Sequence, residues 1–118
     1  MKKVLIVDDS TVIRKAIARF LERYSINIIG TASNGTEALK LFTEHKPDIV
    51  TLDITMPGFD GFHVLDKMVK LDDSVKIIVI TALSDKATGL RALKKGAKSY
   101  LNKPFGPEKL QEAFDRLI

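Results

Sequence analysis

At 118 residues, with 45% apolar and 29% charged side chains, the chain has the length and composition of one ordinary globular domain, which argues against a disordered or fibrous protein. It has no cysteine, so disulfides, thiolate metal sites and cysteine catalysis are excluded together. The formal net charge of +4 permits contact with nucleic acid or acidic protein surfaces without demanding either, and no segment approaches the ~20 apolar residues of a membrane span.

Met1-Lys2-Lys3 followed by Val4-Leu5-Ile6-Val7 has the start of a signal peptide, but Asp8 interrupts it too early, and the expected address is the cytoplasm. The first apolar run reads as a strand ending in Asp8-Asp9. Ser10 can cap a helix whose apolar positions Val12, Ile13, Ala16, Ile17, Phe20 and Leu21 recur at helical spacing. Ile26 to Ala32 is a second strand. Asn34 and Glu37 then form a capping box for a helix carrying Ala38, Leu41 and Phe42, which Pro47 ends. The third strand, Ile49-Val50-Thr51-Leu52, runs into Asp53, and the turn-rich stretch Met56-Pro57-Gly58-Phe59-Asp60-Gly61 lets Asp60 cap a helix through Val64, Leu65 and Met68. Ile77-Ile78-Val79-Ile80 runs into Thr81. Ser84 is expected to start the fourth helix, with Leu90 and Leu93 turned inward and Gly96 in its C-terminal turn. Ser99-Tyr100-Leu101-Asn102 leads into Lys103-Pro104, and Gly106-Pro107 opens a last helix with an apolar stripe of Leu110, Ala113, Phe114 and Leu117.

Strand-like and helical patterns therefore alternate about five times over residues 1–118, the mark of βαβ units in a single domain. The expected fold is α/β: a five-stranded parallel, doubly wound, flavodoxin-like sheet with five helices, its strands buried on both faces. In such a sheet the polar residues that end the apolar runs meet at one edge, where open α/β folds place their sites.

Taken singly, each of those residues has an ordinary reading. Asp8 and Asp9 suit a helix start, Asp53 and Thr81 suit turns, Lys103 suits the surface, and Tyr100 suits a half-buried strand position. His45 and His63 lack a second ligand at metal spacing, and the lysines and arginine of Lys86, Arg91, Lys94, Lys95 and Lys98 suit a solvated helix face. Taken together they form an acidic pocket. Two carboxylates repel by ~4 kcal/mol at 4 Å and an effective dielectric near 20, so a cation is expected to compensate them. Mg²⁺ suits a site of carboxylates, a carbonyl and waters, and commonly bridges protein to phosphate. An ionised Asp53 is then a candidate nucleophile toward phosphorus, with Lys103 neutralising the phosphoryl oxygens and Thr81 offering a hydroxyl.

These residues resemble the receiver domain of two-component response regulators, in particular the CheY-like single-domain type. The resemblance covers the whole chain. It rests on Asp8-Asp9, on Asp53, on Pro57 with Asp60-Gly61, on Thr81-Ala82 and on Lys103-Pro104-Phe105. It implies that Asp53 accepts a phosphoryl group from a sensor histidine kinase or phosphotransfer domain, in a phosphorelay such as that of chemotaxis. It further implies that Asp8, Asp9, Asp53 and the backbone carbonyl of Thr55 organise Mg²⁺, with Asp9 a direct ligand. Thr81 and Lys103 would bind the phosphoryl oxygens, Tyr100 would change its inward or outward population with Thr81, and the Lys103–Pro104 peptide would be cis. Thr55 and Leu83 would border the path of the hydrolytic water.

The output implied is a partner-binding face of the fourth helix, fifth strand and fifth helix, on a monomer or a phosphorylation-dependent dimer. Such a module is not an enzyme in the ordinary sense, although it catalyses its own phosphorylation and dephosphorylation.

Three other readings compete. A receiver cut from a longer DNA-binding regulator fits the basic charge, but no helix-turn-helix is visible in the 118 residues and direct DNA binding is not expected. A phosphatase using Asp53-Ile54-Thr55 would want an acid where Thr55 stands. A flavin-binding module would not present Asp8-Asp9 to an anionic ligand.

Overall fold

The apolar runs form β1 (Lys2–Val7), β2 (Ile26–Ala32), β3 (Ile49–Asp53), β4 (Lys76–Thr81) and β5 (Ser99–Asn102). Between and after them lie α1 (Thr11–Phe20), α2 (Gly35–His45), α3 (Gly61–Leu71), α4 (Lys86–Lys94) and α5 (Pro107–Leu117). The structure is a computed structural model that describes every residue except Phe59, so that part of the expected turn before α3 lies outside the described residues. All strand pairs are parallel and the order is β2-β1-β3-β4-β5, a doubly wound α/β sheet. The chain adds β2 on one side of β1 and everything later on the other, so the carboxyl ends of β1 and β3 flank the point where the winding reverses.

Period-two alternation divides the strands between two cores. Leu5, Val7, Val50, Leu52, Ile77 and Val79 pack with Ala38 and Phe42 of α2, Val64, Leu65 and Met68 of α3 and Ala92 of α4. Val4, Ile6, Ile49, Ile78 and Ile80 pack with Ile17 and Leu21 on the α1 side and with Leu110, Ala113 and Phe114 of α5. Strands covered on both faces need no polar alternation, hence their near-continuous Val, Ile and Leu.

Most helix starts follow local chemistry. Ser10 Oγ accepts from Ile13 N–H at 3.2 Å, and Asn34 Oδ1 accepts from Glu37 N–H at 2.8 Å. Asp60 Oδ1 accepts from Phe62 N–H at 3.0 Å, and α5 opens on Pro107 without a side-chain cap. After α2, Lys46 takes a left-handed φ of 48° ahead of Pro47, which disfavours a helical residue before it.

Helix α4 departs from expectation twice. Its cap is Asp85, whose carboxylate accepts from Thr88 N–H at 2.8 Å, and not Ser84: a carboxylate at this spacing reaches the third amide. Leu90 and Leu93 do not point inward; they are 53% and 38% exposed, and the buried residues of the helix are Gly89 and Ala92. The reason is the ring of Tyr100 on β5, which lies where a Cβ on Gly89 would be, so the helix turns its small residues to the sheet and its leucines out. Val12, at the first turn of α1, is likewise exposed.

One polar group in the sheet has no partner. Thr51, fully buried in mid-β3, has an Oγ1 without a hydrogen bond among the described residues. An unpaired buried hydroxyl costs about 1–3 kcal/mol, part of it recovered when a methyl replaces the oxygen. Thr51→Val should therefore raise the unfolding free energy by roughly 1 kcal/mol in urea melts. A loss of stability would mean that the hydroxyl has a partner in solution.

Candidate functional site

Where β1 ends, the Asp8 amide still donates to Ala32 O at 3.0 Å, so the sheet carries this residue to the edge although the strand has stopped. Its side chain is wholly buried. Asp8 Oδ1 accepts from Ser10 N–H at 2.9 Å, and Oδ2 lies 2.9 Å from Lys103 Nζ. Asp9, next along, is exposed. Asp53 closes β3 at 1% exposure. Its Oδ1 accepts from both the backbone N–H and the hydroxyl of Thr55, each at 2.8 Å, while its Oδ2 accepts from Lys103 Nζ at 2.9 Å.

Lys103 enters from the loop after β5. Its peptide bond to Pro104 is cis, and its N–H donates to Thr81 O at 2.8 Å, tying that loop to the end of β4. From there the side chain spans to β1 and β3. Behind Asp53, a Cβ on Gly61 would overlap the backbone of Ile54, so only glycine lets the start of α3 approach this closely.

The structure thus brings Asp8, Asp9, Asp53, Thr55 and Lys103 together. Thr81 is buried beside them, but its hydroxyl accepts from Leu83 N–H at 2.9 Å and has no hydrogen bond to Asp53. Tyr100 is half-buried two residues before the edge, packed with the α2–α3–α4 core and against Gly89. His45 and His63 are exposed, away from the cluster.

Charge balance explains the geometry. Burial pushes the Asp8 carboxyl above its usual value, and the Lys103 ammonium beside it only partly opposes this. Burial alone would lower the Lys103 ammonium, but its bonds to Asp8 and Asp53 outweigh burial and hold it above its usual value. The ammonium is thus stabilised by both carboxylates, while its own attraction offsets only part of the cost of burying Asp8. Asp8 Oδ2 meets that ammonium as an ion pair but without an aligned hydrogen bond, which leaves a buried acceptor incompletely used.

One carboxylate oxygen from each of Asp8, Asp9 and Asp53 lies within 4.8 Å of the other two. An all-oxygen donor set with an under-used buried carboxylate oxygen fits a hard divalent cation such as Mg²⁺.

Two contributors were not read from the sequence. Arg14, in the first turn of α1, donates to the Asp8 carbonyl at 2.6 Å, a contact six residues apart that no motif announces. The Thr55 hydroxyl both donates to Asp53 and accepts from Ala82 N–H at 3.1 Å. A threonine two residues after an aspartate was the available signal, because side-chain bonds at that spacing are common in turns.

Comparison with known proteins gives a consistent picture. The family model described as response regulator receiver domain matches residues 4–115. A chemotaxis protein CheY of Thermotoga maritima is 40% identical over 116 residues, covering 98% of this chain and 97% of its own. A probable transcriptional regulator, ycf27 of Guillardia theta, is 46% identical over 110 residues, with 93% of this chain but only 42% of that protein covered. Among solved structures, a chain in the CheX–CheY–BeF3–Mg complex from Borrelia burgdorferi superimposes with a TM-score of 0.91 at 37% identity, covering 98% of this chain and 87% of that one.

The shared ammonium has a measurable consequence. Lys103→Met leaves Asp8 and Asp53 buried without compensation, which should cost roughly 2–3 kcal/mol near neutral pH, somewhat below the figure for a fully buried pair. A carboxyl whose folded pKa is raised binds its proton more readily in the folded state, so folding is favoured as pH falls through that pKa. The deficit of Lys103→Met should accordingly shrink as pH is lowered from neutrality into the usual carboxylate range. Urea unfolding of both proteins across that range checks this; a pH-independent deficit would contradict it.

Proposed function

The chain belongs to the response regulator receiver domain family, and on that premise we propose that it is a phosphoacceptor module in which Asp53 takes a phosphoryl group from a histidine kinase or phosphotransfer domain. The observation that carries this reading is the pairing of a buried Asp53 carboxylate with the Lys103 ammonium at 2.9 Å, beside two further acids.

Lys103 holds Asp53 in a fixed orientation and offers positive charge to the incoming phosphoryl oxygens, since phosphoryl transfer depends mainly on positioning and electrostatics. Asp8, Asp9, Asp53 and the Thr55 carbonyl are the residues that would hold Mg²⁺, which when bound supplies Lewis-acid neutralisation of phosphoryl charge. Thr81 meets the modified residue by turning its hydroxyl from Leu83 N–H toward the phosphoryl group.

Phosphorylation adds about 1.5 to 2 negative charges next to Lys103 and Thr81, and the response passes along β4 and β5 to Tyr100, whose inward and outward populations shift. The partner face is α4, β5 and α5. Its support is apolar: Leu90 and Leu93 stand exposed on α4, where a solvated helix would carry polar side chains.

In this reading residues 1–118 act as one receiver domain in the cytoplasm, as a monomer or as a dimer formed on phosphorylation. Chemotaxis is the pathway suggested by the CheY relatives. No described helix is long and apolar enough to cross a membrane. A second reading, the receiver part of a DNA-binding regulator, draws on the ycf27 relative, of which this chain covers 42%. Whether the natural reading frame continues past Ile118 decides between them.

Incubation with Mg²⁺ and acetyl phosphate should add one phosphoryl group by intact mass, and Asp53→Asn should abolish it. Equal labelling of that variant would refute the assignment. Millimolar Mg²⁺ should also raise the melting temperature by ligand linkage, and the gain should fall in Asp9→Ala. A melt insensitive to Mg²⁺ would remove the metal assignment.

A further inference from the structure

Thr55 Oγ1 sits between the Asp53 carboxylate and a backbone amide at the end of β4. Chemistry fixes the direction of both its bonds. The Ala82 amide can only donate, so its 3.1 Å bond uses a hydroxyl lone pair, and the hydroxyl proton goes to Asp53 Oδ1 at 2.8 Å. The two oxygens of Asp53 are thereby given different surroundings. Oδ2 faces Lys103, which also contacts Asp8, whereas Oδ1 faces Thr55 and, through it, the β4 end.

Two oxygens bonded to one tetrahedral phosphorus lie slightly closer together than Oδ1 and the Thr55 hydroxyl do. A phosphoryl oxygen on Oδ1 that is to accept from Ala82 N–H would therefore need the space the hydroxyl now fills.

We infer that the Thr55 hydroxyl is a resting-state stand-in for a phosphoryl oxygen, occupying the Ala82 N–H and quenching Asp53 Oδ1 until the phosphoryl group arrives. The inference rests on the phosphoacceptor reading above and extends it to the atom that reacts and to the side chain that restrains it. In the step, the Oδ1–P bond forms as the donor's P–N or P–O bond breaks, and the bonding pair leaves with the donor. The Thr55 hydroxyl keeps its proton, rotates about χ1 and passes the Ala82 N–H to the phosphoryl oxygen. Thr55 is thus a positioning residue. The rotation is accessible because threonine, unlike valine, divides between rotamers according to where its hydroxyl finds a partner.

A merely structural role, a tie between the β3–α3 loop and the end of β4, uses the same two bonds but predicts no gain in reactivity when they are removed. The test uses the full chain, acetyl phosphate with Mg²⁺ as the probe, and Thr55→Ala, Thr55→Val and Thr55→Ser. Two quantities are read: hydrogen exchange of the Ala82 amide in the unphosphorylated protein, and the initial rate of labelling at Asp53 by intact mass.

Thr55→Ala should speed Ala82 exchange roughly tenfold, the loss of one hydrogen bond of ordinary net strength, and should speed labelling by roughly three- to tenfold as Oδ1 and the amide are freed. Thr55→Val should free the amide too, yet label more slowly than Thr55→Ala, because a methyl group fills the phosphoryl oxygen's place. Thr55→Ser should restore protection of the amide. Unchanged Ala82 exchange in Thr55→Ala would overturn the inference, as would a freed amide with labelling no faster than wild type. Wild-type protein that fails to label at Asp53 would overturn the phosphoacceptor reading and this inference with it. Normal wild-type labelling without a gain in Thr55→Ala would overturn this inference alone.

Discussion

Two carboxylates buried side by side at the end of a parallel sheet need a cation between them, and the Lys103 ammonium, 2.9 Å from both Asp8 Oδ2 and Asp53 Oδ2, supplies it. At such distances a like-charge pair costs several kcal/mol even at a moderate effective dielectric, so the loop after β5 cannot drift without exposing that cost. The anchoring of the Lys103 backbone N–H to the Thr81 carbonyl joins the ends of β1, β3, β4 and β5 through one residue. A group added to Asp53 must compete for this ammonium. In the function proposed for the site, that competition is the first event by which chemistry at Asp53 is felt at β4 and β5.

The fold serves this contact in simple ways. Reversal of the winding at β1 leaves the carboxyl ends of β1 and β3 side by side and open at the edge, while helices on both faces keep the strands dry. Gly61 lets α3 close against the backbone behind Asp53. Gly89 lets the Tyr100 ring pack against α4, so the helix that bears the exposed leucines is in direct contact with an aromatic side chain of β5. Larger residues at either glycine would collide, with backbone in the first case and with a ring in the second. These two close approaches hold α3 and α4 tightly against the chain next to the edge.

Much of this was legible in the sequence because the signals are local. Continuous Val, Ile and Leu runs mark strands buried on both faces, and the polar residues after Val7, Leu52 and Ile80 mark their ends. Ser10, Asn34 and Asp60 announce their helices by capping chemistry. Where the signal was tertiary, the reading failed. Leu90 and Leu93 follow helical spacing and were expected inside, but the space beneath α4 is taken by Tyr100, a residue ten positions beyond Leu90. The Thr55 hydroxyl lay in plain view two residues after Asp53, yet its second partner, Ala82, belongs to another strand end. Thr81, expected to bind phosphoryl oxygens, lies buried beside the cluster with its hydroxyl accepting from Leu83 N–H.

Of the three acids gathered at this edge, Asp53 is the one proposed to carry the phosphoryl group. Borohydride reduction of protein treated with Mg²⁺ and acetyl phosphate converts an acyl phosphate on aspartate to homoserine, which peptide sequencing by mass spectrometry locates to a residue. The account predicts homoserine at position 53 and intact aspartate at 8 and 9. Homoserine at Asp8 or Asp9, or its absence from all three, would contradict it.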